Sequence, residues 1–182
     1  MSPELEQHLR KILKRQVFSK KEYILKKGEV CRHIRFIESG IIRIFVTNNE
    51  KEHTTWIQKE NEIFIAIESF FDQIPAISTI EAVQDDTIVL GITQAELLQT
   101  LRLHPEFVLH QDFIKTKYHK INDEQQAMLR MLPPERYDWL MQRNPELFLR
   151  VPAEYLYSFL GVTREMFFQI RKERAHAKRK GK

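Results

Sequence analysis

A group of hydrogen-bonding side chains near the C-terminus has the spacing of one exposed face of a helix. Its members are Thr163, Arg164, Glu165, Gln169 and Lys172. Arginine pairs with guanine, glutamate with cytosine and glutamine with adenine, whereas threonine and lysine bind phosphate. Val162, Phe167 and Ile170 fall on the opposite, apolar face. This pattern predicts a surface that binds double-stranded DNA, and it does not suggest a catalytic centre.

The residues just before this group predict the helix against which it packs. Pro152 suits a first helical position, and the apolar face consists of Leu156, Phe159 and Leu160. Gly161 stands where the chain must turn, and Thr163 can cap the next helix. A helix, a short turn with glycine and a second helix together predict a helix-turn-helix. The alternative is a hairpin of two helices with a purely structural role.

A basic segment follows the predicted reading helix. Residues 164–182 contain eight Lys or Arg against two Glu, and the end of this segment includes Lys178, Arg179 and Lys180. Such a segment predicts contacts with a polyanion, and we expect it to bind DNA phosphates. A solvated tail without a partner is the alternative.

The part of the chain from Val17 to Ile92 changes to the period of β-strands. The predicted strands are Tyr23–Leu25, Ile34–Ile37, Ile41–Val46, His53–Ile57, Ile63–Ile67, Ile77–Val83 and Thr87–Ile92. Many short strands at near-regular spacing favour an antiparallel sandwich or roll. An amphipathic helix precedes them in residues 3–15, and Thr93 with Glu96 predicts a capping box for the helix that follows.

A longer helix is predicted after Pro105. Its apolar positions recur at alternating steps of four and three: Phe107, Ile114, Tyr118, Ile121, Met128 and Leu132. So narrow a seam is typical of a coiled coil and predicts a homodimer, although a helix packed on its own domain is the alternative. Pro133-Pro134 ends this pattern. The sequence thus predicts a sensor domain (1–103), a dimerisation helix (104–132) and a DNA-binding domain (133–182).

The composition limits the other classes of function. Cys31 is the only cysteine, so an internal disulfide or an all-cysteine metal cluster is excluded. No apolar run approaches the roughly 20 residues that span a bilayer. We therefore expect a cytoplasmic protein that is not an enzyme and needs no metal or cofactor. Cys31 and His33 could ligate a haem or a metal, but a lone pair of this kind is usually structural.

The motifs described above resemble those of the Crp/Fnr regulators. Residues 161–165 (Gly-Val-Thr-Arg-Glu) with Ile170 resemble the family's helix-turn-helix, and residues 23–29 and 36–43 resemble the first turns of its β-roll. The resemblance implies an α+β fold: an antiparallel β-roll, a long dimerisation helix and a C-terminal helix-turn-helix. It also implies that Arg164 and Glu165 contact bases. Three features differ from the family pattern. Gln169 stands where the family often has an arginine, and Tyr157 stands where it usually has a small residue. No strand pair follows the recognition helix to form a wing.

The nucleotide pocket implied by the resemblance departs further from the family pattern. Members that bind a cyclic nucleotide carry Gly-Glu for the ribose and Arg-Ser or Arg-Thr for the phosphate. Here Ala66 replaces the glycine, Glu68 is displaced by one residue, and residues 60–101 contain no Lys or Arg. A buried phosphate without a cationic partner is costly. The pocket candidates are Phe64, Glu68, Ser69, Ser78 and Thr79, and we expect an unknown effector other than cyclic AMP.

Two further interpretations remain open at this stage. A roll that senses a ligand without binding DNA would explain Tyr157 and the missing wing. A metal-dependent cupin enzyme is suggested by Gly28, His33, Glu38 and Gly40, but Arg35 occupies the position of the second ligating histidine.

Overall fold

The computed structural model describes residues 2–107 and 123–180. The strands are β1 (Lys14–Phe18), β2 (Tyr23–Leu25), β3 (His33–Ser39), β4 (Ile41–Asn48), β5 (Lys51–Lys59), β6 (Ile63–Phe64), β7 (Thr79–Ala82) and β8 (Thr87–Thr93). They form two four-stranded sheets with the orders β1-β8-β3-β6 and β2-β7-β4-β5. All of the pairings are antiparallel. We call residues 14–93 the roll; together with the helices it confirms the predicted α+β fold.

The core of the roll lies between its two sheets. Side chains that alternate along the strands meet there, as expected for strands with one buried face. Ile37 and Val89 from one sheet, and Ile42 and Ile80 from the other, belong to a single buried apolar cluster. The register of β3 against β8, with Ile37 opposite Val89, keeps these residues on the inner face.

One predicted strand is wrong in part. The run Ile63–Ile67 was expected to be a single strand, but β6 stops at Phe64 and helix α2 occupies Ile67–Asp72. Phe70 and Ser69 of α2 are buried, and Gln73 ends the helix in a left-handed conformation. Short apolar runs fit a strand and a buried helix equally well, so periodicity could not separate the two.

Two helices flank the roll. Helix α1 is Pro3–Ile12, shorter than the predicted 3–15 because β1 begins at Lys14, and α3 is Gln94–Leu103. The Thr93 hydroxyl accepts a hydrogen bond from the Glu96 amide at 3.2 Å, and the Glu96 carboxylate accepts one from the Thr93 amide at 2.7 Å. These two bonds confirm the capping box.

Four helices make up the C-terminal part: α4 (Pro133–Arg143), α5 (Leu147–Arg150), α6 (Ala153–Leu160) and α7 (Arg164–Lys180). Helix α4 includes Pro133 and Pro134 in its first turn, where proline is tolerated because the first amides need no helical partner. No helix in the described part of the chain has the length and hydropathy needed to cross a bilayer.

The predicted dimerisation helix is described only at its two ends. Ile114, Tyr118 and Ile121 lie outside the described residues. Phe107 packs against the core of the roll, and Leu132 is 66% exposed just before α4. Met128 is completely buried within its own chain, in a cluster with residues of the roll and of α4 to α7. The side chain of Met128 thus stabilises the monomer, and the two-chain seam stays a prediction.

A second apolar core connects the roll to the C-terminal helices. Ile41, Ile57 and Val83 of the roll are buried in the same cluster as Leu140 of α4 and Leu156 of α6. We call the contact between the roll and helices α4 to α6 the junction. Because the junction has its own core, the roll fixes the position of the helices that follow.

Candidate nucleic-acid interface

Helices α6 and α7 are joined by a tight turn at Gly161. Its φ of 63° is in the left-handed region, where glycine has no steric cost. The amide of Val162 donates to the carbonyl of Tyr157 at 3.0 Å, which closes the end of α6. The Thr163 hydroxyl accepts a hydrogen bond from the Met166 amide at 3.2 Å and thereby caps α7. The expected turn and cap are both present.

The two faces of α7 are the ones that the sequence predicted. Phe167 and Ile170 are buried against the preceding helices, and Val162 is half-buried. The opposite face is exposed and contains Thr163, Arg164, Glu165, Gln169 and Lys172. Gln169 donates a hydrogen bond to Glu173 one turn later, at 3.1 Å. The structure therefore brings the five predicted residues together on one accessible surface.

The basic segment is a continuation of α7. The backbone of Lys178, Arg179 and Lys180 belongs to α7. Arg174 in the same helix forms a two-pronged ion pair with Asp138 of α4, with Nε to Oδ1 at 2.8 Å and Nη2 to Oδ2 at 2.7 Å. This pair fixes the direction of α7 well beyond the part that packs on α6. Sequence periodicity gave no sign of it, because the partners are 36 residues apart.

Tyr157 occupies the crossing between α6 and α7 without separating the two helices. Its ring centroid lies 6.3 Å from that of Phe167, in an edge-to-face arrangement. Arg136 of α4 reaches the same crossing and donates to the carbonyl of Leu160 at 2.9 Å and to that of Leu129 at 2.8 Å. A Cβ at Gly161 would come within 3.0 Å of the Arg136 guanidinium, so this turn is closely packed.

A buried arginine forms the centre of the junction. Arg43 of β4 is only 3% exposed, and its Nε lies 2.9 Å from the Glu81 carboxylate. Its guanidinium carbon lies 4.1 Å from the ring centroid of Phe45 in the roll and 3.8 Å from that of Tyr155 in α6. Burial and the Glu81 carboxylate raise the pKa of Tyr155 to about 12. Charge and aromatic stacking thus link the strands of the roll to α6.

Further polar contacts surround this centre. The amide of Thr54 in β5 donates to the Ser158 hydroxyl at 2.9 Å. Arg150 of α5 donates to Glu60 at 3.0 Å and to Gln84 at 2.9 Å. This pairing holds the pKa of Glu60 down, at about 2. Lys59 pairs with Glu146 beside it.

The roll and the turn between α6 and α7 face each other across an open cleft of about 890 Å³. Lys21, Lys51 and His53 of the roll line one side, and Gly161 and Thr163 line the other. The start of α7 is therefore close to cationic side chains of the roll.

Comparison with known families gives a match in the first half of the chain. Residues 15–104 match the model of the cyclic nucleotide-binding domain. No curated protein matched the sequence.

Solved structures extend the similarity of fold to the C-terminal helices. FixK2 from Bradyrhizobium japonicum aligns with a TM-score of 0.76 at 14% identity, over 89% of this chain and 84% of that one. The c-di-GMP responsive global regulator CLP of Xanthomonas campestris aligns with a TM-score of 0.76 at 15% identity, over 97% and 93%. The catabolite activator protein of Thermus thermophilus aligns with a TM-score of 0.60 at 18% identity, over 97% and 85%. At these identities the comparison concerns the fold.

The predicted pocket residues of the roll are engaged in different ways. Phe64 is part of the apolar core, and Glu68 is exposed on α2. The Ser69 hydroxyl accepts a hydrogen bond from the Cys31 amide at 2.8 Å and donates one to the carbonyl of Ile74. Thr79 accepts one from the Lys27 amide at 3.1 Å, and Ser78 is half-buried.

The structure also shows a buried cation in the domain that the sequence argument missed. Residues 60–101 contain no Lys or Arg, but Arg35 of β3 lies directly opposite Phe64 and is 8% exposed. Arg35 and Ile37 are two residues apart in a predicted strand and therefore share one face. This spacing could have indicated that Arg35 is buried with Ile37.

Residues that suggested a metal do not assemble one. In the described ranges, no group of three or more His, Cys, Asp or Glu side chains is arranged to hold a metal ion. Cys31 is buried, and its thiol donates to the carbonyl of His33 at 3.3 Å.

Proposed function

We propose that the chain is a DNA-binding transcription regulator of the Crp/Fnr type, in which the roll senses an effector and α7 reads DNA. The observation that carries this proposal is the division of α7 into two faces. Phe167 and Ile170 are buried, whereas Arg164, Glu165 and Gln169 are exposed near its start. A helix held in this way presents its first turns to the major groove.

The charges around α7 support the same function. Thr163 and Lys172 flank the base-reading residues and suit phosphate contacts. Lys178, Arg179 and Lys180 extend the helix and add positive charge that any DNA sequence attracts. These residues supply affinity, whereas Arg164, Glu165 and Gln169 supply specificity.

A homodimer is part of the proposal because one recognition helix reads few base pairs. The proposed interface is the predicted seam at Phe107, Ile114, Tyr118, Ile121 and Leu132, whereas Met128 of the same pattern is completely buried within its own chain. Ile121→Glu would place like charges in an apolar seam and should give monomers in sedimentation. A mutant that still sediments as a dimer at low micromolar concentration would remove the seam from the proposal.

The experiment that tests DNA reading begins with selection from random duplexes. We expect a pseudo-palindrome with half-site centres about 10 base pairs apart. Arg164→Ala should weaken binding to the selected site by about 1–3 kcal/mol and binding to random DNA much less, because an arginine–guanine pair discriminates by that amount. Lys172→Ala is the matched control and should weaken both alike.

The competing function is a ligand-sensing roll whose α6 and α7 no longer bind DNA. Two aromatic side chains motivate this second function. Phe168 is exposed near the start of α7, and Tyr157 is half-buried at the crossing of α6 and α7. If selection enriches no sequence and mobility shifts show no complex at low salt, this second function takes the place of the first. The effector is proposed to differ from cyclic AMP, which calorimetric titration tests directly.

A further inference from the structure

Arg35 is a buried cation without an anionic partner. Its side chain is 8% exposed, and its Nε makes no hydrogen bond. Its polar side-chain neighbours are His33, whose Nδ1 lies 3.4 Å from Nη2, and the Cys31 thiol. In residues 2–107 and 123–180 no carboxylate forms an ion pair with it. Burial accordingly lowers the pKa of Arg35.

A guanidinium in this position is costly. Buried charges are usually paired, and an uncompensated one destabilises the folded state. The other buried arginine of the roll, Arg43, has Glu81 and Glu52 beside it. The contrast between the two arginines is that, among the described residues, Arg35 lacks the carboxylate partner that Arg43 has.

The neighbouring strand is shaped around this arginine. Gly91 of β8 lies directly opposite Arg35, and a Cβ there would come within 3.3 Å of the arginine Cγ. On its other side β3 places Arg35 opposite Phe64. The absence of a side chain at Gly91 gives room for the arginine stem, and so the guanidinium stays next to His33.

His33 connects Arg35 to the surface. It is half-buried, and burial together with Arg35, Lys14 and Arg32 lowers its pKa, against the opposing effect of Glu96. Glu96 is already engaged, since its carboxylate accepts hydrogen bonds from Thr93 and lies 3.8 Å from Lys14. More cationic than anionic groups therefore surround His33. The His33 side chain lies between the buried guanidinium and solvent.

We propose that Arg35 anchors a small oxyanion, the carboxylate or phosphate group of a metabolite, which reaches it from the side of His33. A guanidinium offers two parallel N–H donors to such a group, and this geometry suits both chemistries. The site lies at the start of β3, next to β8 and close to the N-terminus of α3. It does not depend on DNA binding by α7.

The test measures thermal unfolding of the whole protein with two probes, inorganic phosphate and succinate, against sodium chloride at equal ionic strength. One probe or both should raise the Tm saturably, by about 5 °C or more at a hundredfold excess over Kd. The stronger probe identifies the chemistry. Arg35→Met should abolish the rise, and Arg10→Met, at an exposed arginine of α1, should retain it.

Two results would overturn the proposal. One is a wild-type Tm that responds to neither probe beyond the chloride reference, and the other is an equal response in Arg35→Met.

A second measurement on the wild type guards against a variant that fails to fold. Bound anion offsets the positive potential of Arg35, Lys14 and Arg32, so the NMR titration of His33 should shift to higher pH with the effective probe. An unshifted titration would contradict binding at this site.

Discussion

Apolar side chains meet almost everywhere between the two sheets of the roll, whereas the junction combines an apolar core with charged pairs. Phe70 and Ile37 are completely buried in the first region. In the second, Arg43 pairs with Glu81, and Arg150 pairs with Glu60. Apolar packing responds little to pH or salt, but ion pairs respond to both. The roll is therefore a stable body, and its junction with the C-terminal helices also contains interactions that pH and salt can change.

The largest effect should come from a cavity in the roll. Phe70→Ala removes a fully buried ring and should lower the free energy of unfolding by about 3–5 kcal/mol. Urea titration measures this loss, which should be the same at pH 5 and pH 7. A strong dependence on pH would show that the roll also relies on titrating groups.

The next largest effect should come from the centre of the junction. Arg43→Met leaves the buried Glu81 carboxylate without its cation and should cost about 3 kcal/mol. The double variant Arg43→Met with Glu81→Met should recover most of this loss in the same urea titration. If the double variant is as unstable as the single one, the stacking of Arg43 between Phe45 and Tyr155 is the main contribution.

A smaller effect, visible mainly in acid, should come from Glu60. Its folded-state pKa of about 2 is below the ordinary 4.5, so its pairing stabilises the fold above the ordinary value and is lost as pH falls from about 5 to about 2. Glu60→Gln should flatten the pH dependence of Tm in that window and cost about 1 kcal/mol at neutral pH, because the pair is partly exposed. An unchanged acid profile would assign the loss to other carboxylates.

The smallest effect should come from one hydrogen bond across the junction. Ser158→Ala removes the acceptor for the Thr54 amide and should cost about 0.5 kcal/mol. Ser158→Thr keeps a hydroxyl and serves as the control in the same thermal melts. A loss well above this size would mean that Ser158 also positions α6 as a whole.

Local patterns in the sequence determined much of the fold and the face of α7. Alternation along the chain located most of the strands, and the Thr93–Glu96 pair fixed the start of α3. The turn at Gly161 and the exposed positions of Arg164 and Gln169 followed in the same way. These features depend on residues within about one helical turn of each other, which periodicity and capping preferences describe.

Only the tertiary structure decided which distant residues meet. Arg43 and Glu81 are 38 positions apart in sequence, and Thr54 and Ser158 are 104 apart. The inward placement of Met128 and of Arg35 likewise depends on what covers each position. A sequence pattern shows that a residue belongs to one face of an element. Whether that face meets solvent, the other sheet or another helix depends on how the elements pack, and packing is a property of the whole chain.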